Sequence, residues 1–219
     1  MDPTSGSLLS SPQNPYVKDL VRLRKDGNAR KELGRFLLEG RKPVEAALAQ
    51  ERTEVLELII CERMLEDEGD WISRAHARGA RIVRVSKDVF KKIADVISPQ
   101  GVAAVMRIPT WSWESILERP RPLVLVACGI QDPGNLGTLI RSCEAAGAAG
   151  LIALEGSVDP FNAKVVRSTA GGLLTLPMLR MKLGEFCERV HEQRAANRSF
   201  PLRLVAAEAA GGTNYRAYD

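Results

Sequence analysis

The residues of this chain with the means to do chemistry lie in two short stretches of its second half. Asn135, Arg141 and Glu144 fall in Pro122 to Gly147, PLVLVACGIQDPGNLGTLIRSCEAAG, and Lys164, Arg167 and Ser168 fall in Gly156 to Gly172, GSVDPFNAKVVRSTAGG. A guanidinium presents a fork that fits a phosphate, an ammonium adds a point charge, and a loop entering a helix offers free N–H groups to an anion. These are phosphate-friendly groups. At the level of residue chemistry a plainer account is equally open, in which Asn135 and Asp159 only make turns, Arg141 pairs with Glu144 at i, i+3, and Lys164 and Arg167 are solvated. Other chemistries have little to stand on. GxxxxGK[ST] is absent, Gly129, Gly134 and Gly137 do not make GxGxxG after a strand, and a dinucleotide site has weak support. No serine has an evident histidine base. Cys61, Cys128, Cys143 and Cys187 form no CxxC pair and have only His76 and His191 for company, which reads as buried free thiols and no metal site.

The elements that must position these residues follow from periodicity. Leu123 to Ala127 is an apolar run, Asp132 to Asn135 a turn-forming loop, and Leu136 to Ala146 a helix whose Leu136, Leu139, Ile140 and Cys143 share one face, with Arg141 pointing away. A strand Leu151 to Leu154, a loop with Asp159, a helix from Ala163 capped by Asn162, a strand Leu173 to Met178, a helix Leu183 to Ala196 and a strand Leu202 to Ala206 continue the alternation. Repeated strand, loop, helix order argues for a mostly parallel sheet with helices on both faces. Upstream, helices are expected over Pro15 to Lys25 (stopping at Asp26, Gly27, Asn28), Lys42 to Gln50, Trp71 to Arg78 and Lys87 to Ala94. Strands are expected over Arg35 to Glu39, Val55 to Cys61, Arg81 to Val85 and Val102 to Ile108. The domain plan is therefore a flexible tail 1–13, an α/β domain 14–109, a linker 110–121 with a short helix from Trp113 to Arg119, and a second α/β domain 122–219.

The chain has 219 residues, 45% of them apolar and 26% charged. That is the balance of an ordinary globular protein. No apolar run approaches the length of a spanning helix, roughly 20 residues. The first residues lack the pattern of a secretory signal, so the cytoplasm is the expected location. The net charge of +4 is unevenly spread. From Lys18 to Lys42 basic residues outnumber acids nine to four, among them Arg22, Arg24, Lys25 and Arg41, and from Phe161 to Arg203 eight to three. Two basic regions suit a polyanion lying across both, or two solvated helix faces.

IQDPGNLGTLIRSCEAAGA followed by SVDPFNAKVVRSTAGGLLTLP resembles the SpoU family of RNA ribose 2′-O-methyltransferases, of the α/β-knot (SPOUT) class. NPYVKDLVRLR, FLLEGRKPVEAAL and SPQGVAAVM resemble that family's amino-terminal substrate-binding domain, similar to the L30e fold, so the resemblance runs from Asn14 onward. It implies methyl transfer from S-adenosylmethionine to a ribose 2′-hydroxyl of RNA, ribosomal before transfer RNA, by a homodimer with no membrane attachment. The alternative is a structured-RNA-binding module without catalysis. The family's first motif falls on Asn135 and Arg141. A guanidinium stays protonated, so the implied role for Arg141 is to stabilise the developing alkoxide and grip the neighbouring phosphate, with Glu144 orienting it. Lys164, Arg167 and Ser168 match the second motif as RNA contacts, joined by Arg22, Arg24, Lys25 and Arg41. The family's later Gly-Glu-rich and Ser-Leu-Asn signatures do not occur before Asp219. The methyltransferase domain is therefore expected to be incomplete, with cofactor contacts limited to Ala206, Ala207, Glu208 and Gly211.

Overall fold

The computed structural model describes residues 8–62, 70–169, 171–196 and 202–207, with Gly212 and Ala217. They divide into two units, Met1–Arg180 and Met181–Asp219.

The first unit begins with helix α1 (Pro15–Lys25), whose Asn14 cap accepts the Tyr16 N–H at 2.9 Å. Pro15 costs nothing in the first turn, where its missing N–H would have no partner. The expected stop at Asp26 is instead a second cap. Its carboxylate accepts the Asn28 N–H at 2.9 Å and opens helix α2 (Gly27–Leu33), which Gly34 ends in a left-handed conformation. A glycine and an asparagine beside an aspartate mark a helix start as readily as an end, which is why this helix is not visible in the periodicity.

Four strands form a mixed sheet in the order β1, β4, β2, β3: β1 (Arg35–Glu39), β2 (Val55–Cys61), β3 (Arg81–Val85) and β4 (Val102–Arg107). β4 lies antiparallel to both β1 and β2, and β2 is parallel to β3. Alternate residues serve opposite faces. Phe36, Leu38, Leu58, Ile60, Ala104 and Met106 join Val44, Ala47 and Leu48 of α3 (Arg41–Ala49) and Ala75 of α4 (Trp71–Ala77) in one core. Leu37, Ile59, Cys61, Ala103 and Val105 join α1 and the residues Val89, Phe90 and Ile93 of α5 (Lys87–Ile93) in the other. With both faces covered, β2 and β4 are buried almost throughout. The expected tail is anchored at Leu9, which pairs with Val85 beyond the β3 edge and donates its N–H to Arg84 O at 2.9 Å.

After helix α6 (Trp113–Leu117), three shorter strands form a second sheet in the order β5 (Val124–Ala127), β6 (Gly150–Leu154), β7 (Met178–Met181). β5 and β6 are parallel, joined by helix α7 (Pro133–Ala145) as the crossover. The Asp132–Asn135 segment is not a separate loop. Asp132 caps α7, and Pro133 and Gly134 already lie in its first turn. Helix α8 (Ala163–Ser168) is capped by Asn162, as its side chain suggested. The strand expected over Leu173 to Met178 is a 3₁₀ turn at Gly172–Leu174 followed by β7. Gly171 turns left-handed there, and Leu173, Leu174 and Leu176 are all buried, which an alternating strand does not allow. The core of the first sheet continues without a break into Ala127, Leu136, Ile140, Leu151 and Val165, and the Phe36 and Phe161 rings meet at 5.0 Å between centroids.

The second unit contains helix α9 (Leu183–Ala196), with Phe186 and Val190 buried. Residues 202–207 form no regular structure, so the strand expected at Leu202 to Ala206 is absent, and Leu204 and Val205 are exposed. Apolar residues make a strand only where a neighbouring edge takes their backbone hydrogen bonds. Of the four free cysteines, Cys61 and Cys143 are buried as expected, whereas Cys128 and Cys187 are exposed.

Candidate functional site

Two loops meet where β5 and β6 end. The Ser157 hydroxyl donates to Ala127 O and accepts the Ile130 N–H, each at 3.1 Å, and the Val158 N–H donates to Ile130 O at 2.8 Å. Helix α7 starts directly from this stitched pair. Asp132 Oδ1 accepts the Asn135 N–H at 2.8 Å. The expected row of free N–H groups facing an anion is therefore changed: Pro133 has none, the Asn135 N–H is spent on the cap, and the cap itself is a carboxylate.

Along α7 the buried residues Leu136, Gly137, Ile140 and Cys143 face the core, while Asn135, Thr138, Arg141 and Ser142 line the outward side, with Arg141 and Ser142 exposed. At a helical rise of about 1.5 Å per residue, Asn135 and Arg141 stand about 9 Å apart along the axis. Arg141 has no hydrogen-bond or ion-pair partner among the described residues. Glu144 does not orient it. Its carboxylate lies 3.4 Å from the Thr175 hydroxyl, and its Oε2 would be 2.8 Å from a Cβ at Gly172, so it faces the 3₁₀ turn instead.

Helix α8 crosses α7 closely. A Cβ at Gly137 would collide with Ser168 Oγ and sit 2.7 Å from Ser168 Cβ. Only glycine fits the crossing. The Ser168 hydroxyl points into this contact and bonds main-chain carbonyls, at 2.8 Å to Val165 O and 3.0 Å to Lys164 O. Lys164 is exposed. Arg167 forms an ion pair with Asp95. Asp95 in turn lies 4.0 Å from Arg24 Nε and donates its N–H to Glu39 Oε2 at 2.8 Å. Glu39 Oε1 and Arg24 Nε, both buried, have no hydrogen-bond partner among the described residues. Burial is the main reason the Glu39 carboxyl is pushed above its ordinary range, against the pull of Arg167 and Arg24.

The amino-terminal cations divide by position. Arg22 pairs with Glu32 at 3.0 Å on the surface, and Lys25 is exposed. Arg24 instead caps α5, donating to the Ala94 and Ile93 carbonyls, where a cation suits the negative helix end. The Arg41 guanidinium stacks 5.5 Å from the Trp71 ring centre, and its backbone N–H donates to Gln100 at 2.8 Å. The ring face attracts the cation and holds it over the indole. Arg30, grouped by sequence with these surface cations, is buried. Its Nε and Nη2 both reach Asp159 Oδ2 at 2.7 Å. No local signal reveals this, since its partner lies 129 positions away.

Of the proposed cofactor contacts, Ala206 and Ala207 are exposed and offer only backbone groups, while Glu208 and Gly211 lie outside the described residues. Among the described residues no cluster of His, Cys, Asp and Glu could hold a metal, and no helix is long and apolar enough to cross a membrane.

A helix-covered mixed sheet followed by a parallel β5–α7–β6 crossover makes this a two-sheet α/β protein, and the solved structures that match it carry the SPOUT methyltransferase fold. An rRNA methyltransferase from Sinorhizobium meliloti superposes with a TM-score of 0.76 at 30% identity, covering 97% of this chain and 77% of that one. The SpoU methyltransferase AviRb from Streptomyces viridochromogenes, in complex with AdoMet, gives 0.71 at 29%, covering 84% and 69%. Residues 122–211 match the SpoU rRNA Methylase family and residues 14–104 the MRM3-like substrate binding domain. The 23S rRNA (guanosine(2553)-2′-O)-methyltransferase RlmP of Bacillus subtilis is 32% identical over 83% of this chain and 68% of its own length. The chain belongs to the SpoU rRNA methylase family. It spans about two thirds or less of the length of the curated relatives it matches.

Proposed function

We propose that this chain supplies the RNA-recognition layer and the substrate-side loops of an S-adenosylmethionine-dependent ribose 2′-O-methyltransferase acting on ribosomal RNA in the cytoplasm as a homodimer. The domain division is 14–109 for recognition and 122–219 for transfer. The observation that carries the reading is the exposed guanidinium of Arg141, without a partner among the described residues, on the outward side of the helix that Asn135 opens. A cation held on a rigid helix with no counter-charge beside it is ready to meet one that arrives with a substrate. Arg141 grips the phosphate beside the target ribose and stabilises the charge that develops on the 2′-oxygen as the hydroxyl proton passes to solvent water. Asn135 hydrogen-bonds the sugar, and Lys164 takes a flanking phosphate. S-adenosylmethionine supplies the methyl group, with the backbone of Ala206 and Ala207 as candidate contacts among the described residues. RlmP, whose name gives 23S rRNA as what it acts on, supports the substrate class, and AviRb, solved with AdoMet, supports the methyl donor.

The test is tritium transfer from S-adenosylmethionine to ribosomal RNA, read beside RNA binding. Replacing Arg141 by Ala is expected to abolish transfer and leave RNA affinity within a few-fold, about 1 kcal/mol or less. Undiminished transfer by that variant would refute the role.

A further inference from the structure

We infer that the buried Arg30–Asp159 pair positions the two loops that open helices α7 and α8, a reading that rests on the proposed methyl transfer. Arg30 is 3% exposed. Besides its two contacts to Asp159, its Nη1 donates to Leu23 O at 2.6 Å and to Arg24 O at 2.9 Å, carbonyls in the last turn of α1. The guanidinium fork is thus fixed in the first-sheet layer and aims its other edge at a loop of the second.

Asp159 is the junction between the two helix starts. Its Oδ1 accepts the Phe161 N–H at 3.0 Å, and its carbonyl accepts the Asn162 N–H at 3.0 Å. Asn162 is the cap of α8, which carries Lys164. On the other side of Asp159, Val158 and Ser157 bind Ile130, just before the Asp132 cap of α7, which carries Asn135 and Arg141. One carboxylate therefore sets both helices against α1 through a run of hydrogen bonds and short peptide links.

A buried ion pair is a poor adhesive. Its desolvation cost offsets much of the attraction, and an uncharged pair of similar size commonly holds two layers as well. What the charged fork adds is direction, because a guanidinium that donates through several N–H groups fixes angle as well as distance. Direction is what a transfer site needs, since a displacement of about 1 Å at the reacting groups can cost roughly a hundredfold in rate.

The test uses Arg30→Lys, Asp159→Asn and the double variant Arg30→Met with Asp159→Asn, in which Asn keeps the acceptor for Phe161. Three quantities are read: amide hydrogen exchange at Ile130, Val158 and Asn162, melting temperature, and kcat and KM for ribosomal RNA. Each variant is expected to exchange these three amides about tenfold faster or more. In each, kcat falls about 10- to 100-fold while KM for RNA stays within about threefold. The double variant recovers the melting temperature lost by Asp159→Asn, because the buried guanidinium left without its carboxylate is gone and only the half-exposed Arg180, 3.6 Å from Asp159 Oδ1, loses a partner, yet it recovers neither protection nor kcat. Recovery of all three together would show that the pair only holds the layers together and would overturn the inference. Wild-type protection in the single variants would do the same. If the unaltered protein transfers no methyl group while exchange behaves as expected, the methyltransferase reading falls and the loop-setting role stands.

Discussion

Arg167 of α8 and Asp95 just beyond the end of α5 form an ion pair between residues 72 positions apart, so an arginine suited to RNA is already spoken for by the protein's own carboxylate. An RNA phosphate reaching Arg167 must displace Asp95. Asp95→Asn is therefore expected to raise RNA affinity and to steepen the dependence of log K on log salt by about 0.7 to 0.9, the signature of one more neutralised phosphate. Anisotropy titrations of labelled ribosomal RNA at several salt concentrations read both quantities. Identical slopes would mean that Arg167 meets no phosphate.

The crossing at Gly137 makes a second prediction. A methyl group there collides with both Oγ and Cβ of Ser168. Gly137→Ala should therefore destabilise by about 1–3 kcal/mol despite the better helix propensity of alanine. Adding Ser168→Ala should give little relief, because the Cβ remains, whereas Ser168→Gly should restore most of the loss. Chemical denaturation of the three variants decides it. An unchanged midpoint for Gly137→Ala would show that α8 yields.

Glu39 should make stability fall with rising pH. Its carboxyl is raised from the ordinary 4.5, so folding favours the protonated form. That stability is fully present below the unfolded value and is lost as pH rises through the folded one. Glu39→Gln keeps an acceptor for the Asp95 N–H and cannot ionise. It is expected to be more stable than the natural chain at pH 7 and equal to it below about pH 4. A variant that is less stable at pH 7 would mean that the attraction of Arg24 and Arg167 outweighs burial.

Tyr16 donates its hydroxyl to Glu57, which also takes Arg81 at 2.9 Å, and burial together with the Glu57 charge pushes the phenol well above its ordinary 10.0. The stability it contributes is full below about pH 10 and declines above it, as the unfolded phenol ionises and the folded one does not. Ultraviolet titration should find one of the three tyrosines silent until the chain unfolds, and Tyr16→Phe should remove that delayed step. Tyr16→Phe should also cost about 1 kcal/mol for the lost hydrogen bond.

Much of the fold was legible in sequence because it depends on neighbours within a turn or a strand. Runs of β-branched and apolar residues marked β1 to β4, and Asn162 announced the start of α8 through a side chain that bonds an amide two residues on. What failed depended on distant partners. Leu202 to Ala206 has strand-like residues and no neighbouring strand among the described residues, and the run from Leu173 to Met178 looks apolar because most of it is packed on all sides. In the site, sequence named Asn135 and Arg141, which lie on the outward side of α7. It misplaced Glu144, where a pairing at i, i+3 lost to Thr175, and Arg24, where a surface cation became a helix cap. Arg30 has no local signature at all. A basic residue in a basic stretch looks solvated until its acid arrives from another sheet.

That arrival has an order in time. Arg30 leaves the ribosome long before Asp159, 129 positions further on, and the stretch between them includes the whole of the first sheet. Until residue 159 emerges, docking α2 in its final place would bury a guanidinium without its counter-charge, at a cost of about 3–5 kcal/mol. The four-stranded layer can form early from its own residues, but its last corner must wait. A ribosome paused before codon 159 would therefore hold a nascent chain with a nearly finished sheet and an open α2, a natural handle for chaperones.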